Sequence, residues 1–377
     1  MRGVQAYHLG QAPRVYSFDR KVYDRAMRAR APEPERRPFN PPKQAMPLGL
    51  GGAFGGATHV SSAPYVLASY FAGAYQVLQT DLGLTMGTTP YKTGTAPPIG
   101  TLGGTLTRNG AKPLWFKCTT AGTIGGGALF SAYDDGAGIV PFATGISPAG
   151  GGSPVALGGS FTGTNVAWAA GTAALDNVWK GTCSALADQS GLGFHVAQPQ
   201  AANQPIIIAG PNGKCGLKFE VARATCMAPS GLTISSATPF VTYWVVNMTT
   251  AGTDEFFATQ NGADWALYVP GGAVTMYNNG SVLALAGAFS VNSRVTYTFN
   301  GASSSSKNGS SFTSGILTAY NVVQPQIGGG AGFPVAARLG NMDFYAQVYA
   351  PLASANVAGA DVSLNSSTGF GPGAIAV

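Results

Sequence analysis

Apolar positions in this chain arrive in short pieces cut by glycine-rich stretches. Leu114-Trp115-Phe116-Lys117-Cys118, Ala128-Leu129-Phe130-Ser131-Ala132-Tyr133 and Asn165-Val166-Ala167-Trp168 are examples, with the turn sequence Asp134-Asp135-Gly136 after the second. Strand lengths with turn signals at this spacing predict a small β-sandwich over residues 93–184. Further on, Cys215-Gly216-Leu217-Lys218-Phe219 and Phe240-Val241-Thr242-Tyr243-Trp244-Val245-Val246 read as strands. Period two puts Trp244 and Val246 of the second on one face, and both are assigned to the core. Val274 to Tyr277 and Val282 to Leu285 flank Asn278-Asn279-Gly280-Ser281 and predict a hairpin, because Asn-Gly supplies the positive φ angles of a tight turn. The run Tyr65 to Phe71 fits a strand or a short helix equally, so residues 61–92 are left as a connector.

Either end of the chain reads differently. Residues 1–60 carry Ala31-Pro32-Glu33-Pro34, Asn40-Pro41-Pro42 and then Gly49 to Gly56. Prolines disfavour long helices and glycines disfavour long strands, so this is an extended arm. Helical spacing occurs there in Ser17 to Arg30, with Phe18, Val22, Arg25 and Ala26 along one side and Ser17 or Asp19 as a cap. Residues 367–377 form a glycine-rich tail. The fold class expected is all-β: a small sandwich, then a larger one at residues 185–366, with an extended N-terminal arm.

Composition sharpens this picture. Glycine, at 54 of 377 residues, is about twice the ~7% average usage. Hydrophobic residues nevertheless reach 45% and charged residues only 10%, which is not the signature of a disordered chain. No run approaches the roughly 18 to 20 apolar residues of a membrane helix, and the Arg-rich start lacks the apolar core of a secretory leader. A membrane partner and a cleaved leader are therefore not expected. Cys118, Cys183, Cys215 and Cys226 lack CxxC spacing and a matching histidine set, so they read as buried thiols.

Charge is informative through its location. Residues 1–45 hold ten basic side chains against four acidic ones, which accounts for the whole formal net charge of +6. The rest of the chain balances at eleven of each sign and has no net charge to steer an ionic ligand. The arm is thus a separate functional object, with Arg14, Tyr16, Arg20, Tyr23, Arg25, Arg28, Arg30, Arg36 and Arg37 as its anchoring candidates. Lys/Arg runs can supply phosphate contacts, but the interleaved acids, prolines and tyrosines suit a protein groove, so a protein partner is favoured over nucleic acid.

Several segments carry a family resemblance. Asp188-Gln189-Ser190-Gly191-Leu192-Gly193-Phe194-His195, followed by Gln198 and Pro205, resembles the DQSGxGxxxxQ…P opening of phage-encoded concanavalin A-like (laminin-G-like) domains. The strands at Cys215 and Phe240 follow in that family's order. Arg294 to Gly301 is similar to its W-x-x-V-x-F-N-G strand, with Tyr297 displaced from the tryptophan position. Leu339 to Tyr349 is similar to its closing G-x-I-x-E-V-x-V-Y, with Asp343 a loose match for the acid. Upstream, the Thr-Thr-Ala-Gly, Phe-Ser-Ala-Tyr-Asp-Asp-Gly and Asp-Asn-Val-Trp segments of 93–184 resemble a small β domain of phage tail and virion proteins. The resemblance implies a concanavalin A-like jelly roll on a bacteriophage particle: a capsid decoration, head fibre, neck or tail-associated protein. It would be made in the host cytoplasm, located in the virion, attached through the arm to other virion proteins and assembled as a homo-oligomer. The rival reading is a secreted carbohydrate-binding module or glycanase-related lectin domain, for which a leader and paired cysteines are expected.

Catalysis finds little footing. Retaining glycosidases need two carboxylates about 5 to 5.5 Å apart, supplied in related laminarinases by an ExDxxE run that this chain lacks. Of its four glutamates, Glu33 and Glu35 lie in the arm, leaving Glu220 and Glu255. Asp134-Asp135 and Asp254-Glu255 are adjacent pairs and are assigned to turns. His195 has no second base or carboxylate nearby in sequence to orient it, and Ser190 lacks the GxSxG elbow. Gly328 to Gly332 lacks a phosphate-loop context and reads as a turn. The expectation is a non-enzymatic protein with no cofactor. Calcium, which related sandwiches hold with loop carboxylates, has Asp188, Asp264 and Asp343 as its candidates and ranks below the metal-free reading, since no DxDxDG cluster is present. Should a glycan bind, Trp265, Tyr268 and Tyr277 are the aromatic candidates for stacking on sugar rings.

Overall fold

The structure is a computed structural model. It describes residues 66–235, 240–248, 254–258, 265–269, 273–278, 281–288, 294–300, 304–307, 310–313, 322–330, 338–339, 341–364 and 369. The arm, with its nine candidates and the expected helix at Ser17 to Arg30, lies outside the described residues, as do Asp264 and the tail apart from Gly369. Residues 61–377 make one compact unit. It is an all-β, sandwich-like fold whose one α-helix among the described residues is Val357–Leu364.

The largest sheet has eight strands, with Met342–Pro351 and Phe240–Met248 at its centre. Both central strands are buried on two faces. On Phe240–Met248, Phe240, Trp244 and Val246 join the main core, as expected for the last two, while Val241, Tyr243 and Val245 join a second cluster. That second face is covered by Leu67, Phe71 and Ala74, which precede it in the chain, and by Ala360 and Leu364 of the helix, while Val77 joins the same cluster from a strand of the sheet itself. The ambiguous run at Tyr65 to Phe71 resolves as the 3-10 helix Leu67–Tyr70, whose Leu67 is buried.

The segment read as a connector supplies strands. Gln76–Gln79 pairs with Met342–Pro351, setting Gln76 opposite Tyr349, and all four of its residues are buried. Leu84–Met86 pairs with Cys183–Leu186, and Tyr91–Thr93 with Val178–Lys180. Gln79 is tolerated inside because it is hydrogen-bonded: its Oε1 accepts from Leu67 N at 3.0 Å and its Nε2 donates to Asp81 at 2.7 Å. Asp81 in turn holds Lys214 at 2.6 Å.

Between Tyr91 and Lys180 a five-stranded sheet runs in the order Tyr91–Thr93, Val178–Lys180, Trp115–Thr120, Leu129–Tyr133, Pro141–Ile146. A three-stranded sheet faces it through an aromatic core. Trp168 on the strand Thr164–Trp168 stacks on Phe130 with centroids 4.1 Å apart and takes Phe116 edge-on at 5.5 Å. Trp179 closes the group, edge-on to Phe130 at 5.4 Å, and its Nε1 donates to Pro98 O at 2.9 Å. Offset-stacked and edge-on geometries are those favoured by the ring quadrupole.

The predicted hairpin forms: Ala273–Asn278 pairs with Ser281–Ala288, Asn278 opposite Ser281. Two turn assignments change. Asp254 and Glu255 open the strand Asp254–Ala258, opposite Val269 and Tyr268, because the following Phe256-Phe257 is strongly β-forming. Gly329–Gly330 is likewise a short strand paired with Arg338–Leu339, placed by its partner rather than by glycine's weak propensity. Cys118, Cys183, Cys215 and Cys226 are buried and outside any disulfide. Burial pushes the Cys183 and Cys215 thiols up, the latter to about 12, so neither supplies thiolate near neutral pH.

Candidate functional site: an aromatic cleft on an outer sheet face

The five-stranded sheet buries one face, while the other is half-buried at Tyr91, Lys180, Trp115, Lys117 and Val178 and buried at Tyr133 and Ser131. Along Trp115–Thr120 the inward positions are Phe116 and Cys118, and the half-buried outward ones are Trp115 and Lys117. Register then builds two rows across the outer face. Lys180 pairs with both Tyr91 and Trp115, and Trp115 with Tyr133, so the first row reads Tyr91, Lys180, Trp115, Tyr133. The second reads Thr93, Val178, Lys117, Ser131. Paired residues on neighbouring strands lie within direct side-chain reach.

Between these rows lies a cleft of about 360 Å³, walled by Trp115 and Tyr133 on one side and by Lys117 and Val178 on the other. Asp176 closes one end and forms an ion pair with Lys117 at 2.8 Å. Ala137 and Gly138 form the remaining rim. That rim is shaped by Asp135. Its Oδ1 accepts the backbone N–H groups of Ala137 and Gly138 at 3.0 and 2.7 Å, and its Oδ2 those of Ile139 and Val140 at 2.8 and 2.7 Å. These four bonds outweigh desolvation and hold the carboxyl below its ordinary range. Glycines are required in this loop: Gly138, at φ +68°, brings its backbone so near Trp115 that a Cβ would sit 3.3 Å from the ring, and at Gly136, φ +71°, a Cβ would collide with Ala209.

Apolar shoulders flank the opening. Ile139 and Val140, next to Gly138, are 75% and 67% exposed, and Leu175, next to Asp176, is 59% exposed. In the wall itself, Trp115 Nε1 is buried with no hydrogen-bond partner, and Lys180 Nζ lies 4.1 Å from the centroid of the Trp115 ring. Such a face, with aromatic rings, a charged pair and a preformed rim, is suited to holding a small polar ring system by stacking and hydrogen bonding.

The aromatics singled out from sequence lie elsewhere. Trp265 and Tyr268 are on the strand Trp265–Val269 and Tyr277 is on its neighbour Ala273–Asn278. Register opposes Tyr277 to Ala266 and Tyr268 to Thr275, positions of one parity, and Trp265 falls at the other. The cleft was missed because it depends on register between distant segments. A signal was present in the strand itself, where Trp115 shares its parity with Lys117 and not with Phe116.

Apart from Asp176 in the cleft, the described carboxylate side chains are engaged in holding structure. Asp188 accepts from Val77 N at 2.9 Å, Ser190 N at 2.9 Å, Ser190 Oγ at 2.7 Å and Phe194 N at 3.0 Å. His195 accepts the N–H of Asp188 through Nδ1 at 2.9 Å, so the Asp-Gln-Ser-Gly sequence is a loop staple. Gln198 of the same motif donates to Cys226 O at 2.8 Å. Asp134 takes Lys112 and Ser160, Glu220 takes Lys218 at 3.1 Å, and Asp361 takes Tyr243 Oη at 2.7 Å. Asp343 accepts from Asn247 at 3.1 Å, and burial raises its carboxyl above the ordinary range. Among the described residues no group of three or more His, Cys, Asp or Glu side chains gathers as a metal site. Asp188, a calcium candidate, spends its oxygens on N–H and O–H donors, which a cation cannot replace without breaking the loop.

The fold and cleft together define an all-β sandwich protein with a preformed aromatic surface site. No protein-family model matches the chain, and no curated protein matches it. Among solved structures, the binding domain of botulinum neurotoxin serotype D is similar over 48% of this chain and 49% of that one, at 12% identity and a TM-score of 0.36. An arabinofuranosidase complexed with arabinofuranosyl-α-1,2-xylobiose is similar over 80% of this chain and 62% of that one, at 13% identity and a TM-score of 0.36. A GH54 α-L-arabinofuranosidase is similar over 78% and 63%, at 12% identity and a TM-score of 0.38. The chain thus spans about half the length of the neurotoxin domain and under two thirds of either arabinofuranosidase.

Proposed function

We propose that this chain is a non-enzymatic binding protein whose sandwich takes a saccharide in the Trp115–Tyr133 cleft. The observation that carries the reading is the cleft itself: two aromatic side chains beside the Lys117–Asp176 pair, under a rim fixed by Asp135. Aromatic faces match the apolar faces of sugar rings, and the charged pair offers both donors and acceptors to hydroxyls. The structural employment of the described carboxylates supports a binding role over a hydrolytic one. In this reading the protein belongs to a bacteriophage particle, a setting supported by the sequence resemblance of residues 93–184 and 185–366 to phage-encoded domains. The Arg- and Tyr-rich arm anchors each copy to another virion protein, the copies assemble as a homo-oligomer, and the sandwich faces outward for host-surface contact.

A glycan array probed with the full chain tests the cleft. Binding is expected, and Trp115→Ala should weaken it by about tenfold or more, the scale of about 1.5–3 kcal/mol for the apolar burial lost with a large side chain. Binding that survives Trp115→Ala, with the fold intact by circular dichroism, would move the site elsewhere. Mass spectrometry of purified particles tests the setting, and hydrolysis of a bound glycan by the wild-type chain would reverse the non-enzymatic assignment.

A further inference from the structure

The cleft lies beside an unbalanced charge. Lys180 stands in the first row between Tyr91 and Trp115, half-buried, with its ammonium over the Trp115 ring. Among the described residues it forms no ion pair; the nearby acid is already divided, since Glu220 reaches Lys218 at 3.1 Å and Arg223 at 3.6 Å. Arg223 in turn lies over Tyr91, 4.1 Å from its centroid. Asp343, opposite Lys218 in the strand register, accepts a hydrogen bond from Asn247. Around Glu220 and Asp343 the cations Lys218, Arg223 and Lys180 thus outnumber the anions, and of the three it is Lys180 that has no ion pair. Burial, and after it the repulsion of Lys218, lower its pKa against the weaker attraction of Glu220, a direction that a further anion alongside would reverse.

We propose that the ligand of the cleft is an acidic saccharide, whose anionic group pairs with Lys180 while a sugar ring lies against Trp115 and Tyr133. This rests on the saccharide reading of the cleft. The alternating row Arg223, Tyr91, Lys180, Trp115, Tyr133 presents one unmatched cation among aromatic rings, which fits one acidic group per sugar unit. A polynucleotide is disfavoured because the chain beyond residue 45 carries eleven basic and eleven acidic residues and so offers no net field for a polyanion.

The test is an array carrying uronate, sialylated, sulfated, phosphorylated and neutral glycans, followed by calorimetry on the strongest binder at two salt concentrations. Signals should concentrate on acidic glycans, and which acidic arm responds identifies the anion. Affinity should fall with salt, and Lys180→Gln should reduce it by about tenfold, the scale of a charge-assisted hydrogen bond, with Lys180→Arg retaining it. Neutral glycans bound as tightly as acidic ones, or Lys180→Gln without effect on affinity, would overturn the acidic-ligand inference and leave the saccharide reading standing. Silence across all arms would remove both.

Discussion

The Asp188 and Asp135 loops each gather four donors around one carboxylate, and they differ in where those donors come from. At Asp188 one donor is Val77, more than a hundred residues earlier, and the backbone reinforces the tie through Gln189 N to Val77 O at 2.8 Å. Asp188 is 8% exposed, so its charge is satisfied in the interior. At Asp135 all four donors lie within the next five residues, in a loop that points two aliphatic side chains at solvent. The same chemistry thus joins two parts of the fold in one case and shapes the edge of a surface cleft in the other. A carboxylate ringed by N–H groups is a structural device; the reach of its partners decides whether it serves the core or the site.

Substitutions can break that comparison. Asp188→Ala has the largest expected effect, a loss of about 2 to 3 kcal/mol in urea unfolding, because it leaves the buried N–H of Val77 and the partly buried N–H groups of Ser190 and Phe194 without their acceptor. Asp135→Ala should leave the unfolding midpoint nearly unchanged, speed hydrogen exchange at Ala137 to Val140, and weaken ligand binding several-fold. Equal destabilisation by the two variants would erase the distinction. Acid should act in the same direction as Asp135→Ala. The folded carboxyl lies below its unfolded value, so the clamp is fully present above the ordinary carboxylate range and is lost as pH falls through the depressed folded value. Exchange protection of those four amides, followed by NMR from neutral pH downward, reads this out.

The smallest expected effect is at Asp343, where burial raises the carboxyl. Protonation is then favoured in the folded state, and at neutral pH the buried charge weighs against folding. Asp343→Asn keeps a partner for Asn247 and should stabilise by about 1 kcal/mol or less, with the gain shrinking as pH falls through the folded pKa. Thermal unfolding at neutral and mildly acidic pH checks it; a destabilised variant at neutral pH would show that attraction to Lys218 outweighs burial.

Much of the scaffold was legible because period two is a local signal. Cys215–Phe219 forms as expected, and Trp244 and Val246 are fully buried where alternation puts them. The strand Gln76–Gln79 was not legible, since two of its four residues are glutamines, and its burial follows from pairing with the distant strand Met342–Pro351. For the same reason the cleft escaped notice. Trp115, Tyr133 and Lys180 become neighbours only through strand register, and no motif ties them together in sequence. The Asp-Gln-Ser-Gly run, by contrast, was conspicuous, and its residues turn out to staple a loop.

Whether the ligand meets Trp115 or the strand bearing Trp265 is the question that tests the account most directly. The chain can be labelled with 5-fluorotryptophan, its resonances assigned by single Trp→Phe variants, and the strongest array ligand titrated in by fluorine NMR. The resonance of Trp115 should shift or broaden saturably while that of Trp265 stays in place. Movement at Trp265 with Trp115 unperturbed would contradict the cleft and return the site to the aromatics first picked from the sequence.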